Sequence, residues 1–204
     1  AKRIAQKNGE YVGSTAPYGY CVEKINGIYK LMVEPEAAKI VRRIFEEYAS
    51  GDGIQSIIDR LFEDRVHRIS DYNQYHHVYC QDGENLHQWG NSSIRAVLNR
   101  NNYYGDLVQR KYESRFQRGE KWCDILDESQ WIITPNAHEP IISRELFEKA
   151  QVRLKAAQQK ATKTTAGWED DERAFYNVFY CGDCKRKMCT RRYRGNVYYF
   201  CNAA

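Results

Sequence analysis

The chain has 204 residues, 42% of them hydrophobic and 28% charged, an ordinary globular balance with room for one large or two small domains. No apolar run reaches membrane-spanning length and no secretory leader opens the chain, so neither a spanning helix nor an export signal is expected. A formal net charge of +4 is too small to argue for a nucleic-acid partner, and the distribution of charge has to decide.

Ala1 to Gly9 reads as the tail of a helix closed by Gly9, and the cationic Lys2, Arg3 and Lys7 would ride along phosphates if that helix continues from a preceding domain. Residues 17–34 read as a hairpin. Tyr18, Tyr20 and Val22 alternate before Asn26-Gly27, and Tyr29, Leu31 and Val33 after it, with a loop slightly longer than a two-residue turn. Pro35 suits a first helical turn, and Ala37, Ile40, Val41, Ile44, Phe45 and Tyr48 follow at helical spacing up to Gly51. Ile54, Ile57, Ile58, Leu61 and Phe62 form the apolar face of a second helix.

Residues 67–90 are polar, rich in Tyr and His and unperiodic, and read as an irregular loop. Asn91-Ser92-Ser93 offers capping groups to a short helix that turns Ile94, Val97 and Leu98 inward. Leu107 to Tyr112 reads as a strand, a basic loop follows, and Trp122 to Ile125 returns as its partner. Ser143 caps a further helix carrying Leu146, Phe147, Ala150, Gln151 and Leu154 along one side. The pattern stops near Lys160. Residues 161–174 have linker composition, and a small cysteine-containing unit follows.

Seven cysteines are an odd number, and in a reducing compartment paired cysteines point to metal more than to disulfides. Both chain ends are abrupt, as in a piece of a longer intracellular protein. Cys181-Gly182-Asp183-Cys184 has the spacing of a zinc knuckle, which aims two thiolates at one ion. Cys201 stands where the second knuckle of a ribbon would begin, so Cys181, Cys184 and Cys201 are the expected ligands. The fourth is expected beyond Ala204, with Cys189 as a substitute.

Between Cys181 and Ala204, Lys185, Arg186, Lys187, Arg191, Arg192 and Arg194 face one Asp, and Tyr193, Tyr198, Tyr199 and Phe200 interleave with them. Cations interleaved with rings can neutralise phosphates while the rings pack or stack. A second basic run, Asn91 to Cys123, holds seven cations against three carboxylates. Its candidate contacts are Ser93, Arg95, Asn99 and Arg100 around the short helix, with Lys111, Arg115 and Arg118 beyond it. A short helix can enter a major groove while a basic loop follows the backbone. Asp124 to Gln151 is acidic and is expected to face away from DNA.

No catalytic constellation emerges. His76-His77 with His87, Cys80 and Asp82 could suggest a metal or acid–base cluster, but adjacent His side chains diverge in an extended chain and the region has no ligand periodicity. His138-Glu139-Pro140 lacks the second His of a metalloprotease helix.

Five motifs in order resemble the large serine recombinases, or serine integrases. They are Ala16-Pro17-Tyr18-Gly19-Tyr20; Pro35-Glu36-Ala37-Ala38 with Val41 to Phe45 and Tyr48 to Gly51; Trp89 with Ser93 to Gly105; His138 to Ser143 with Leu146-Phe147; and Cys181 to Cys201. The family usually has Asn-Pro where Asn101-Asn102 stands, and its ribbon continues into a second half with a coiled-coil insertion.

The resemblance implies an α+β chain: residues 1–15 end an inter-domain helix, 16–160 form a mixed helical recombinase domain with small antiparallel β elements, 161–174 link, and 175–204 form a partial zinc-ribbon hairpin. It implies a sequence-specific DNA-binding region of a recombinase that integrates, excises or transposes a mobile element, cutting through a phosphoserine link made by a preceding resolvase-like domain. Implied with it are a structural zinc, a double-stranded attachment site as partner, self-association as dimer or tetramer in the intact protein, no membrane, and a cytoplasmic setting. A ribbon that binds RNA and a Tyr-rich protein-interaction module are the competing readings.

Overall fold

A computed structural model describes residues 2–114, 123–165, 178–193 and 196–201. The chain divides into two compact units, Ala1–Leu154 and Lys155–Ala204.

The first unit opens with α1 (Lys2–Lys7), which carries Lys2, Arg3 and Lys7, and then the hairpin of β1 (Tyr20–Ile25) and β2 (Ile28–Val33). The strands pair antiparallel from Tyr20↔Val33 to Ile25↔Ile28, so Asn26 and Gly27 alone make the turn. Both have positive φ, 52° and 85°, and the turn is the tight two-residue kind rather than the longer loop suggested by spacing. Tyr20 and Leu31 are buried, while Val22 and Tyr29, further along the same face, are exposed.

Helix α2 (Pro35–Ser50) starts with Pro at its first turn, and the Glu34 carboxylate caps it by accepting from the Ala37 N–H at 2.7 Å. Its inner face, Ala37, Val41, Ile44 and Phe45, is fully buried. Helices α3 (Ile54–Glu63) and α5 (Asn91–Leu98) each pack on α2 and on each other, closing a three-helix core. Burying one Ile or Phe of this kind contributes roughly 1.5–3 kcal/mol. On the outer side, Glu47 accepts from Arg43 at 2.7 Å and from Arg60 at 2.9 Å, and Asp52 accepts from Arg60.

The stretch 67–90 is more ordered than its composition suggests. Helix α4 (Ile69–Tyr75) lies within it, and an isolated bridge pairs Val66 with Tyr79. Its tie to the core is aromatic: Tyr18 sits edge-on to both Tyr72, 5.0 Å away, and Trp89, 5.4 Å away. Ring packing of this kind leaves no period to read.

After α5, a 3₁₀ turn (Asn101–Tyr104) buries Tyr103, whose hydroxyl donates to the Tyr18 carbonyl at 2.9 Å. The expected single strand then breaks in two. Arg110 has φ 58° and separates β3 (Leu107–Gln109) from β4 (Tyr112–Ser114). β4 pairs with β5 (Cys123–Ile125) as expected, whereas β3 pairs with β6 (Ile132–Thr134). The residues 138–142 dock on the 3₁₀ turn: the His138 Nε2 lies 2.7 Å from the Asn102 carbonyl, and the Ile141 N–H donates to Tyr103. Ser143 Oγ accepts from Leu146 N–H and starts α6 (Arg144–Thr165), which runs five residues past Lys160 into the stretch read as linker. Residues 166–174 lie outside the described residues.

In the second unit, β7 (Cys189–Tyr193) and β8 (Asn196–Phe200) form an antiparallel hairpin. The chain before it folds tightly: Cys181 N–H donates to the Arg186 carbonyl at 2.8 Å, Lys185 N–H to the Cys181 carbonyl at 3.0 Å, and Lys185 itself has φ 59°.

Candidate functional site

In the first unit a cleft of about 570 Å³ opens between the 11–17 segment, the C-terminal end of α5 and the β3–β4 bend. Its wall is fixed by Gln109, whose buried side chain accepts from Val12 N–H at 3.2 Å and donates to the Glu10 carbonyl at 2.8 Å. The positive φ of Arg110 bends the chain so that Arg110 and Lys111 both line this cleft, where they meet Asn99 and Arg100 from the end of α5. Arg110 is shared with Glu113 at 3.2 Å. Among the described residues, no carboxylate lies within ion-pair distance of Arg95, Arg100 or Lys111. Burial, and then the charge of Arg100, push the Lys111 amine below the ordinary lysine range, and its Nζ stands 4.7 Å from the centre of the Trp131 ring. The cleft thus gathers three cations, two of them without an ion-pair partner among the described residues, an arrangement an anion relieves.

The outer face of α5 presents Asn91, Ser92, Arg95, Ala96 and Asn99 to solvent. Gly90, not Asn91 or either serine, is its N-cap, and Asn91 instead accepts from the Arg95 guanidinium at 3.0 Å. Asn99 donates to the Arg95 carbonyl, and Ser93 is half-buried. Of the residues picked from sequence, Asn99, Arg100 and Lys111 come together in the cleft, while Ser93 and Arg95 lie on α5 and do not line it. Arg110 also lines the cleft, and its left-handed backbone, which aims it, leaves no trace in composition. Arg115 and Arg118 lie outside the described residues.

In the second unit the sulfurs of Cys181, Cys184 and Cys201 lie within 4.8 Å of one another, and those of Cys184 and Cys201 are 3.4 Å apart. The N–H groups of Cys184 and Asp183, followed by the neighbouring thiols, lower the Cys181 thiol to about 7. Three converging sulfurs with an acidified thiol fit a thiophilic metal ion and can hold one, one ligand short of a closed tetrahedron. Cys189 is not in this group, since it sits on β7 opposite Phe200. Lys185, Arg186 and Arg191 are exposed beside the cluster, and the Lys185 amine also reaches the Gly182 carbonyl. Arg192 lies on β7, and Arg194 lies outside the described residues. Tyr180, Tyr198 and Phe200 are exposed on this unit.

No described helix is long and apolar enough to cross a membrane. The Recombinase family model matches residues 35–157. Among solved structures, one described as the crystal structure of an LSR–DNA complex is 17% identical, with a TM-score of 0.47 over 97% of this chain and 50% of that one. Another, described by the sequence requirements of the Listeria innocua prophage attP site, is 18% identical, with a TM-score of 0.47 over 97% of this chain and 68% of that one. The chain spans about half the length of the first.

Proposed function

The chain belongs to the Recombinase family, and from that membership we propose that it is the DNA-binding region of a site-specific serine recombinase acting on the attachment site of a mobile element. The observation that carries this reading is the cleft in which Asn99, Arg100, Arg110 and Lys111 converge beside the exposed face of α5. A duplex laid there places phosphates against the cleft cations while α5 offers Asn91, Ser92, Arg95 and Asn99 to base edges in the major groove. Lys2, Arg3, Lys7, Ser93, Arg115 and Arg118 are the further residues assigned to the DNA contact.

The Cys181–Cys184–Cys201 cluster holds a structural zinc, with a fourth ligand that the described residues do not supply. Lys185, Arg186, Arg191, Arg192 and Arg194 then add a second grip on the backbone. Residues 16–160 act as the recombinase domain, 175–204 as the ribbon, and 161–174 as the link between them. Strand cutting and rejoining in the whole protein is assigned to a serine outside these 204 residues, with self-association on DNA, in the cytoplasm.

The test is a binding competition between a duplex carrying the element's attachment half-site and random duplex. The half-site is expected to win by roughly 10³-fold or more, and equal affinity for both would sink the reading. A second reading has its own observation: the exposed Tyr180, Tyr198 and Phe200 suit stacking on unpaired bases. Preference for single-stranded RNA over the duplex would favour it.

A further inference from the structure

We propose that His67, His77 and Glu84 form a second metal site, for a borderline divalent cation of the zinc class, in the first unit and separate from the cysteine cluster. The ligand atoms of these three residues lie within 4.8 Å of one another. The Glu84 carboxylate is shared: one oxygen lies 3.0 Å from His67 Nε2 and the other 2.9 Å from His77 Nε2.

The case rests on how these side chains are held. His77 Nδ1 is 3.0 Å from the Tyr79 carbonyl, which only accepts, so Nδ1 carries the hydrogen. A neutral His77 then points the bare lone pair of Nε2 at a carboxylate oxygen, a repulsive contact. Something positive has to stand between His77 Nε2 and the Glu84 carboxylate oxygen 2.9 Å away: a proton or a cation.

Three features favour the cation. Nδ1–H held by a backbone carbonyl with Nε2 facing inward is the tautomer that metal-bound histidines use. His67 is fully buried with Tyr75 stacked on it at 5.0 Å, which holds its ring with Nε2 toward Glu84. Two imidazoles and one carboxylate are also a known zinc donor set that leaves a position open to water. Ligands about 2.05 Å from a tetrahedral ion stand about 3.3 Å apart, and one ligand atom from each of the three residues lies within 4.8 Å of the other two.

The ion would add a side-chain tie between two stretches that the backbone joins at one antiparallel bridge. His67 leaves α3 beside the single Val66↔Tyr79 bridge, and Glu84 lies on the segment that leads through Trp89 into α5. Metal at this point closes the 67–84 loop and steadies the base of the helix proposed to read DNA.

Cobalt(II) titration of the 204-residue chain separates the two sites, because thiolate ligation gives intense near-ultraviolet charge-transfer bands and nitrogen–oxygen ligation gives only weak visible bands. The expected result is one equivalent with thiolate bands and a second without them. His77→Ala and Glu84→Gln should weaken the second by about 100-fold or more, beyond the loss typical of an outer-shell change, and leave the thiolate bands untouched. His77 is part-exposed, so a matching far-ultraviolet circular dichroism spectrum for His77→Ala verifies folding. Binding confined to the thiolate bands overturns the proposal. So does a histidine-selective NMR spectrum in which His77 is doubly protonated and unmoved by zinc.

Discussion

Replacing Arg100 and Lys111 together by Ala tests the cleft by its electrostatics. Both side chains line it, neither has a carboxylate within ion-pair distance among the described residues, and Arg100 helps to depress the charge on Lys111. A phosphate between them relieves that repulsion, so each should count as one neutralised phosphate. Each such contact adds about 0.9 to the slope of log affinity against log salt, so the double variant should be shallower by about 1.8. Between 50 and 200 mM salt, a fourfold change, the native chain should therefore lose about 12-fold more affinity than the variant. Fluorescence anisotropy with a labelled duplex across that range measures both slopes. Lys39→Ala is the control: Lys39 is an exposed cation paired with Glu36 at 2.6 Å and outside the cleft, and its removal should leave the slope unchanged. A double variant that binds more weakly by the same factor at every salt concentration would refute the reasoning, because the two cations would then support the fold and not hold phosphate.

Gly19 has φ +90°, and a Cβ there would stand 2.9 Å from Ile141 Cδ1 and 3.0 Å from Val41 Cγ2. Gly19→Ala should cost about 2 kcal/mol or more and lower the melting temperature by roughly 4–8 °C; an unchanged melting curve contradicts the packing described. Burial depresses His138 below the ordinary histidine range, against the opposing pull of the Asn102 carbonyl and Asp106. The unfolded chain therefore takes up the proton first as pH falls, and stability should drop from about pH 6.5 downward. In His138→Gln, thermal melts at pH 7.5 and 5.5 should differ less than in the native chain. Cys184→Ser removes one of three converging sulfurs, and zinc content after dialysis against a weak chelator should fall to that of the His67–His77–Glu84 site or below. Full retention would show that the cysteines are not the ligands.

Local chemistry was legible wherever a residue's role is set by its neighbours in the chain. The helices α2, α3 and α5 follow from the spacing of their apolar residues, Pro35 marks the start of α2, and Ser143 caps α6 as its type and place imply. The Cys181–Cys184 knuckle and the approach of Cys201 were likewise readable from spacing, because a hairpin of two short strands returns the chain to its starting point. The cationic runs were legible as composition, and the Recombinase family model matches residues 35–157.

Tertiary structure alone decided which of those cations share a cleft. Arg100 and Lys111 meet because Arg110 adopts a left-handed backbone and Gln109 ties β3 to the 10–12 segment. That closure spans nearly a hundred residues, and no periodicity encodes it. The 67–90 stretch makes the same point. His76 and His77 are neighbours in sequence, yet the structure groups His77 with His67 and Glu84, residues several positions away that a single bridge and a buried ring bring together. Sequence by itself determined the elements and the types of chemistry available, because these depend on backbone propensity and on side chains a few residues apart. Which side chains face one another depends on packing over long separations, and only the folded chain sets that.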